Sequence, residues 1–370
     1  MGDTMNKIKE LSKKIVDYSI RVKEDDKVLI TYQNSKCNDL VIELIKDINE
    51  KGAICHTKLS DPVINRELML GTTEERAKLL GQYSKFEIEE FTAFINIRYS
   101  VNDYENNDVP TNTRKLISNE TRKYDEIRIN ERRWVLLNYP SVLDAHKAKM
   151  NTGKFREYAL DAMITNYEDL GERIKPLAEL MEKTDKVRIT GPNTDISFSI
   201  KDIEVVPCLG ESNLPDGEIF TAPVKTSVNG KITYNCPSPY RGNVFNNVCL
   251  EFEDGKIINC SCAGDDKLLE EIFDTDEGSR YIGEFSIGLN PNILYPVGDI
   301  LFDEKIIGSI HFTPGQAYHE ADNGNRSDIH WDLVLIQREE FGGGEIYFDD
   351  VLVRKNGEFV LEELKHLNYK

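Results

Sequence analysis

Three of the six histidines in this chain fall within a short stretch, in the runs Gly308-Ser-Ile-His311-Phe-Thr-Pro-Gly-Gln-Ala-Tyr318-His319 and Ser327-Asp-Ile-His330-Trp-Asp332. His330 and Asp332 are spaced i, i+2 inside an apolar run formed by Ile329, Trp331, Leu333, Val334 and Leu335. If that run is a strand, both side chains leave the same face. Imidazole plus carboxylate suits Zn²⁺, Co²⁺ or Mn²⁺, whereas thiolate-rich sets favour closed structural zinc and all-oxygen sets favour calcium or magnesium. The pattern points to a catalytic metal site.

A dinuclear centre needs a carboxylate shared between the ions and further terminal ligands. Two glutamates stand as isolated acids among apolar or small residues, beside glycine, in settings expected to be loops or strand edges. They are Glu218 in Pro215-Asp-Gly-Glu218-Ile-Phe-Thr-Ala-Pro223 and Glu284 in Tyr281-Ile-Gly-Glu284-Phe-Ser-Ile-Gly-Leu-Asn290. With 65 acidic residues in the chain, a given glutamate is usually a solvated surface charge, so spacing alone does not select these two. His311, taken alone, fits a core histidine bonded to a backbone carbonyl better than a ligand. Tyr318 alone would be an ordinary partly buried tyrosine. His319 and Glu320 begin a His-Glu pair, but residue 323 is Asn, so no H-E-x-x-H zinc helix is completed. His56, His146 and His366 lack partners at useful spacing. Cys260-Ser-Cys262 has no second Cys or His pair at zinc-finger spacing and reads as strand. Gly342-Gly-Gly344 lacks any phosphate-loop register and reads as a hairpin turn.

The elements that would carry these residues fall into two textures. Amphipathic helices at about 7–22, 38–51, 73–91 and 112–132 alternate with apolar strands at 28–32, 53–59, 93–97 and 133–137, the grammar of an open α/β domain with a parallel sheet. A long helical region at about 155–182 then leads into closely spaced strand-like segments with Gly, Asn and Pro turns. Asn229-Gly230 and Glu253-Asp-Gly255 there are hairpin signals. The expected organisation is an N-terminal α/β domain, 1–185, and a C-terminal sheet-rich α+β domain, 186–370, carrying the metal site.

The 370 residues are long enough for two cores, and 39% hydrophobic content with 16 Tyr and 15 Phe argues for a folded chain. A net charge of −19 opposes a phosphate-tracking surface, so nucleic acid is not an expected partner. No stretch approaches the roughly 18 apolar residues of a membrane span, and no hydrophobic signal core follows Met1. A cytoplasmic protein with no membrane association is the expectation. The seven cysteines form no secreted framework and are expected to be reduced thiols.

Four segments in order resemble the signature of the M29 family of metallopeptidases, the aminopeptidase T or thermophilic aminopeptidase group. They are Asn213-Leu-Pro-Asp-Gly-Glu218-Ile-Phe-Thr-Ala-Pro, Gly283-Glu284-Phe-Ser-Ile-Gly-Leu-Asn-Pro, Gly308-Ser-Ile-His311 with Tyr318, and Asn325-Arg-Ser-Asp-Ile-His330-Trp-Asp332. The weaker segments Arg133-Trp-Val-Leu-Leu-Asn-Tyr-Pro140 and Lys186-Val-Arg-Ile-Thr-Gly-Pro-Asn-Thr-Asp195 extend the resemblance over most of the chain. It implies that Glu218, Glu284, His311, His330 and Asp332 bind two divalent ions (Zn, Co or Mn), with a carboxylate such as Glu284 shared. It implies that Tyr318 is the active-site tyrosine and that the protein is a homodimer. The implied activity is removal of the N-terminal residue from peptides with a free N-terminus by a metal-bridged water, with Glu218 or Glu284 as general base and Tyr318 as oxyanion donor. The chain departs from many members at His311-Phe-Thr-Pro-Gly315 and in a short connection to His330, which bears on pocket shape and substrate range.

A rival from another class is a mononuclear Fe(II) ring-cleaving dioxygenase using His311, His330 and Asp332, since two histidines and one carboxylate are also the ligands of the facial triad. Retention of Glu218 and Glu284 weighs against it, because a single iron needs neither.

Overall fold

Apolar strands alternate with amphipathic helices through the first 140 residues, and in the computed structural model, which describes residues 2–369, they build a parallel sheet. Its order is Ile54–Leu59, Lys27–Tyr32, Ala93–Arg98, Arg133–Asn138 and the two-residue strand Asn213–Leu214. All four pairings are parallel, so each connection must cross over, and helices Asn38–Glu50, Glu74–Glu90 and Thr111–Glu131 lie in the connections between the first four strands in chain order. Side-chain caps set where two of the unit's helices begin: Thr73 accepts from the Arg76 amide and Asp61 from Val63 and Ile64. The first helix begins and ends earlier than the apolar spacing suggests, an α-helix over Gly2–Lys13 that widens into a π-helical turn over Lys14–Ser19.

The chain groups into two compact units. One holds the chain through Ile164 together with Gly210–Pro215; the other holds Thr165–Leu209 and the chain from Asp216 onward. The single helical region expected near 155–182 is therefore two helices, Thr152–Met163 and Tyr167–Lys183, and the units divide between them rather than near 185. Asn166 starts the second helix by accepting from the Asp169 amide.

The second unit is built on two antiparallel sheets. An eight-stranded sheet runs in the order 256–261, 249–253, 229–233, 194–199, 186–191, 345–348, 351–355, 358–359, and a five-stranded sheet in the order 334–336, 309–314, 282–288, 218–221, 206–208. Asp254 and Gly255 make the expected hairpin between the first two strands, both at positive φ. Asn229-Gly230 does not turn; it opens a strand paired on both sides, with Gly230 opposite Ile196 and Phe252, because two ladders outweigh a local turn preference. Gly342–Gly344 likewise is no hairpin but the passage from Val334–Ile336 in one sheet to Glu345–Phe348 in the other.

The five-stranded sheet has two unlike faces, a consequence of the period of two along each strand. One face carries Phe285 and Phe312, which meet Phe198 of the larger sheet at ring centroid distances of 5.0 and 4.9 Å. The opposite face of the same strands carries Glu284, Ser286, His311 and Thr313. All seven residues of Ile282–Gly288 are buried, so this polar face is closed from bulk water as well.

Candidate metal centre

Register brings the polar residues together. Ser286 lies opposite His311 on one side and Phe220 on the other, Glu284 opposite Thr313, and Gly288 opposite Glu218. Glu218 and Glu284 are thus not at loops or sheet edges as expected; both lie in interior strands, and their flanking glycines have steric reasons. Gly217 has φ +113 and sits against the Asn290 backbone. At Gly283 a Cβ would lie 2.4 Å from the Gly315 carbonyl and 2.5 Å from that of Gln316. A side chain there would push away the carbonyl that accepts from His330 Nδ1 at 2.8 Å.

His330 and Asp332 arrive differently from the expected strand. Only Val334–Ile336 joins the ladder, while His330 makes an isolated bridge to Gly315. The two side chains still converge, with His330 Nε2 3.2 Å from Asp332 Oδ1, and Thr313 Oγ1 donates to that same oxygen at 2.8 Å.

Glu284 is the hub. Its Oε1 lies 3.1 Å from His311 Nε2 and its Oε2 lies 3.3 Å from His330 Nε2. Two groups of ligand atoms, each mutually within 4.8 Å, meet at this residue: Glu218, Glu284, His311 and Glu284, His330, Asp332. Three carboxylates and two imidazoles in two overlapping sets fit a pair of borderline divalent cations. Among the described residues no such group joins His311 to both His330 and Asp332, the triad a single iron would need.

The charges show what the site demands. Burial would lower the His311 imidazole, but Glu218 and Glu284 outweigh it and raise it from 6.5 to about 10. His330 is also raised well above its usual range, burial being overcome by Asp332, Tyr318 and Glu284. Burial would raise Asp332 and Glu284, yet the two imidazoles hold both carboxylates below their ordinary values. The cluster requires positive charge, supplied either by protons on the imidazoles or by cations that displace them; metal binding must therefore release protons.

A family model for thermophilic metalloproteases, M29, matches residues 4–359. The chain belongs to the M29 family. Curated relatives include aminopeptidase AmpS of Bacillus subtilis, 37% identical over 131 residues, covering 33% of this chain and 30% of that one. Aminopeptidase PepS of Streptococcus thermophilus is 24% identical over 226 residues, 53% and 54% of the two chains. Aminopeptidase T of Thermus aquaticus is 29% identical over 174 residues, 40% and 42%. The matched stretches thus span only about a third to a half of those relatives. Two solved structures share the fold nearly end to end. AmpT from Thermus thermophilus has a TM-score of 0.79 at 20% identity, covering 96% of this chain and 99% of that one. A 2,5-dihydroxypyridine dioxygenase from Pseudomonas putida KT2440 has a TM-score of 0.61 at 15% identity, covering 96% and 98%.

Within this M29 chain, Tyr318 lies over the cluster, 47% exposed, its ring 4.7 Å from His330 and 5.7 Å from Phe220. Its phenol is pulled down by His330, but partial enclosure and the carboxylates of Glu284 and Asp332 outweigh that and push it up. His319 belongs to none of the ligand groups among the described residues, and Cys260 donates to Glu270 on a nearby helix.

Sequence reasoning missed the dipeptide Glu304-Lys305. Lys305 is fully buried, with Nζ 3.3 Å from Glu218 Oε1 and in contact with Glu304. Glu304's backbone carbonyl lies 3.2 Å from His311 Nδ1, which leaves Nε2 facing Glu284. Asp303-Glu304-Lys305 is a run of three charged residues, a pattern that in sequence is indistinguishable from surface charge. Ser286 was legible in principle, two residues from Glu284 and so on its face; its hydroxyl donates to Glu218 Oε2 at 3.0 Å. A third group, Cys208, Asp216 and Glu218, was also unexpected; burial, Asp216 and Glu218 push the Cys208 thiol well up, so it stands beside the site as a neutral wall. Among the described residues no helix is long and apolar enough to cross a membrane.

Proposed function

We propose that this M29 protein is a dinuclear metallo-aminopeptidase that removes the N-terminal residue from peptides, with Glu218, Glu284, His311, His330 and Asp332 as metal ligands. The observation that carries this reading is Glu284, whose two oxygens face two different imidazoles 3.1 and 3.3 Å away. A single carboxylate so placed can be shared between two ions. Bound there, Zn²⁺, Co²⁺ or Mn²⁺ would lower the pKa of a water toward neutrality and polarise the scissile carbonyl.

The protein's own groups do the rest. Lys305 and Ser286 each hold one oxygen of Glu218, fixing the carboxylate's orientation. The Gln316 and Glu304 carbonyls fix the imidazole planes. A carboxylate of this cluster, Glu218 or Glu284, accepts the proton of the attacking water. Tyr318, kept as a neutral phenol, donates a hydrogen bond to the oxyanion of the tetrahedral intermediate, a contact worth about 3 kcal/mol at such sites. Homodimer formation belongs to the same reading and is supported by family resemblance.

The dioxygenase fold neighbour gives the single-iron reading a footing, but the donor atoms of His311 are not grouped with those of His330 and Asp332. The test is to strip the protein with chelator and return Zn²⁺, Co²⁺ or Mn²⁺ while following leucyl p-nitroanilide hydrolysis. Restored hydrolysis is expected. Hydrolysis absent with all three, with iron alone supporting oxygen uptake on a dihydroxylated aromatic, would transfer the assignment to the rival.

A further inference from the structure

The parallel sheet of the first unit carries a feature that the metal centre does not use. From Lys27–Tyr32 the chain passes to one side, to Ile54–Leu59, and then to the other, to Ala93–Arg98. The order therefore reverses between Lys27–Tyr32 and Ala93–Arg98, and open α/β sheets bind ligands at the carboxyl ends of strands beside such a reversal. A cavity of about 320 Å³ opens there, lined among others by Gln33, Ser60, Asn96, Arg98, Arg128 and Trp134.

The sequence explains why it stays open. On this face, the amino-terminal half of the strands presents Leu29, Phe94 and Trp134, which pack with Ile88, Tyr124 and Ile127 of the covering helices. Two residues further along each strand, the same face presents Thr31, Asn96 and Leu136, and Arg98 follows. Sheets covered on both sides read as continuous apolar runs. Here the run breaks into polar groups on one face only, while Ala93, Ile95 and Ile97 stay buried on the other.

Two arginines and no acid line the cavity, in a chain of net charge −19. Asp125 touches Arg128 only loosely, at 3.4 Å. Asn96 Nδ2 is a buried donor with no hydrogen-bond partner, a group that is costly to bury unless an acceptor is supplied.

We propose that this cavity is a binding site for a small organic anion. Its phosphate or carboxylate pairs with Arg98 and Arg128 and accepts from Asn96, and its flat apolar body lies along Ile129, Trp134 and Leu136. The site is independent of the peptidase reading, since it shares no residue with the metal cluster.

Isothermal titration of the full-length protein with phenyl phosphate and with benzoate tests it, with benzyl alcohol and inorganic phosphate as controls. At least one aromatic anion is expected to bind once per chain, and Arg98→Gln and Arg128→Gln should each weaken it about tenfold or more. Tighter binding of phenyl phosphate would assign a phosphoryl ligand, and the reverse a carboxylate. Because anions also bind metal centres, the titration is repeated in Glu284→Gln, where the affinity should persist. Binding lost in Glu284→Gln but kept in Arg98→Gln overturns the proposal. So does the absence of heat from both aromatic anions, or inorganic phosphate binding as tightly as phenyl phosphate.

Discussion

Strand Ala93–Arg98 of the first unit's parallel sheet and strand Ile282–Gly288 of the second unit's five-stranded sheet are both largely shut away from water, but they fill their interiors differently. Strand Ala93–Arg98 sends Ala93, Ile95 and Ile97 into an apolar core, and transfer of that surface from water is its own stabilisation. Strand Ile282–Gly288 is buried at every position, yet one of its faces carries Glu284 and Ser286 beside His311. Buried charge of that kind is costly unless paired, so the second sheet is stable only with its counter-charges in place. A fully buried strand with a carboxylate at its centre is thus a sign of a site, whereas a fully buried aliphatic strand is a sign of a core.

The sharpest way to break that contrast is to remove a counter-charge. Lys305→Met leaves Glu218 and Glu304 facing each other without their ammonium, and loss of one partner from a buried pair costs about 3–5 kcal/mol. Urea unfolding of the chelator-treated variant should show a loss of that size; a change below about 1 kcal/mol would mean that Lys305 is no more important than a surface charge. Tyr318→Phe is expected to lower kcat about a hundredfold, the equivalent of about 3 kcal/mol, with metal content unaltered. An unchanged kcat would take the phenol out of the chemistry.

Gly283→Ala acts through packing instead. Its Cβ meets the Gly315 and Gln316 carbonyls, and relief by backbone shift costs about 1–3 kcal/mol. Because the Gln316 carbonyl orients His330, metal titration should show the His330–Asp332 side filling more weakly than the Glu218–His311 side. Equal weakening on both sides would refute this route. The mildest test is pH. The His311 imidazole is raised from 6.5 to about 10 by Glu218 and Glu284 against burial, so in metal-stripped protein its proton stabilises the fold fully below pH 6.5. That contribution is lost as pH rises toward 10. The urea midpoint of stripped protein should fall across this window, and a rising midpoint would contradict the assignment of charge.

Much of this contrast was legible in the sequence, for reasons that differ by region. Segments such as Val28–Tyr32 and Ala93–Ile97 are short apolar runs between helices of clear period, and local pattern agrees with tertiary role there. Asn229-Gly230 misled because pairing on both sides overrode a turn preference. At the site, Glu218, Glu284, His311, His330, Asp332 and Tyr318 could be named through ordered motifs, and Ser286 follows from its spacing to Glu284, but Glu304 and Lys305 could not be named. Lys305 becomes visible only when antiparallel register and a buried turn set it against Glu218, a relation with no sequence period. The strand expected through Ile329–Leu335 begins only at Val334, since His330 is held by Gly315 and the Gln316 carbonyl rather than by a ladder.

The central claim is that Glu284 serves two cations at once. Counting metal ions per chain by mass spectrometry in wild-type protein and in Glu284→Gln, both reloaded with Zn²⁺ after chelation and checked for folding by circular dichroism, tests it most directly. The account predicts two ions in the wild type and loss of both in the variant; two ions retained in Glu284→Gln would contradict it.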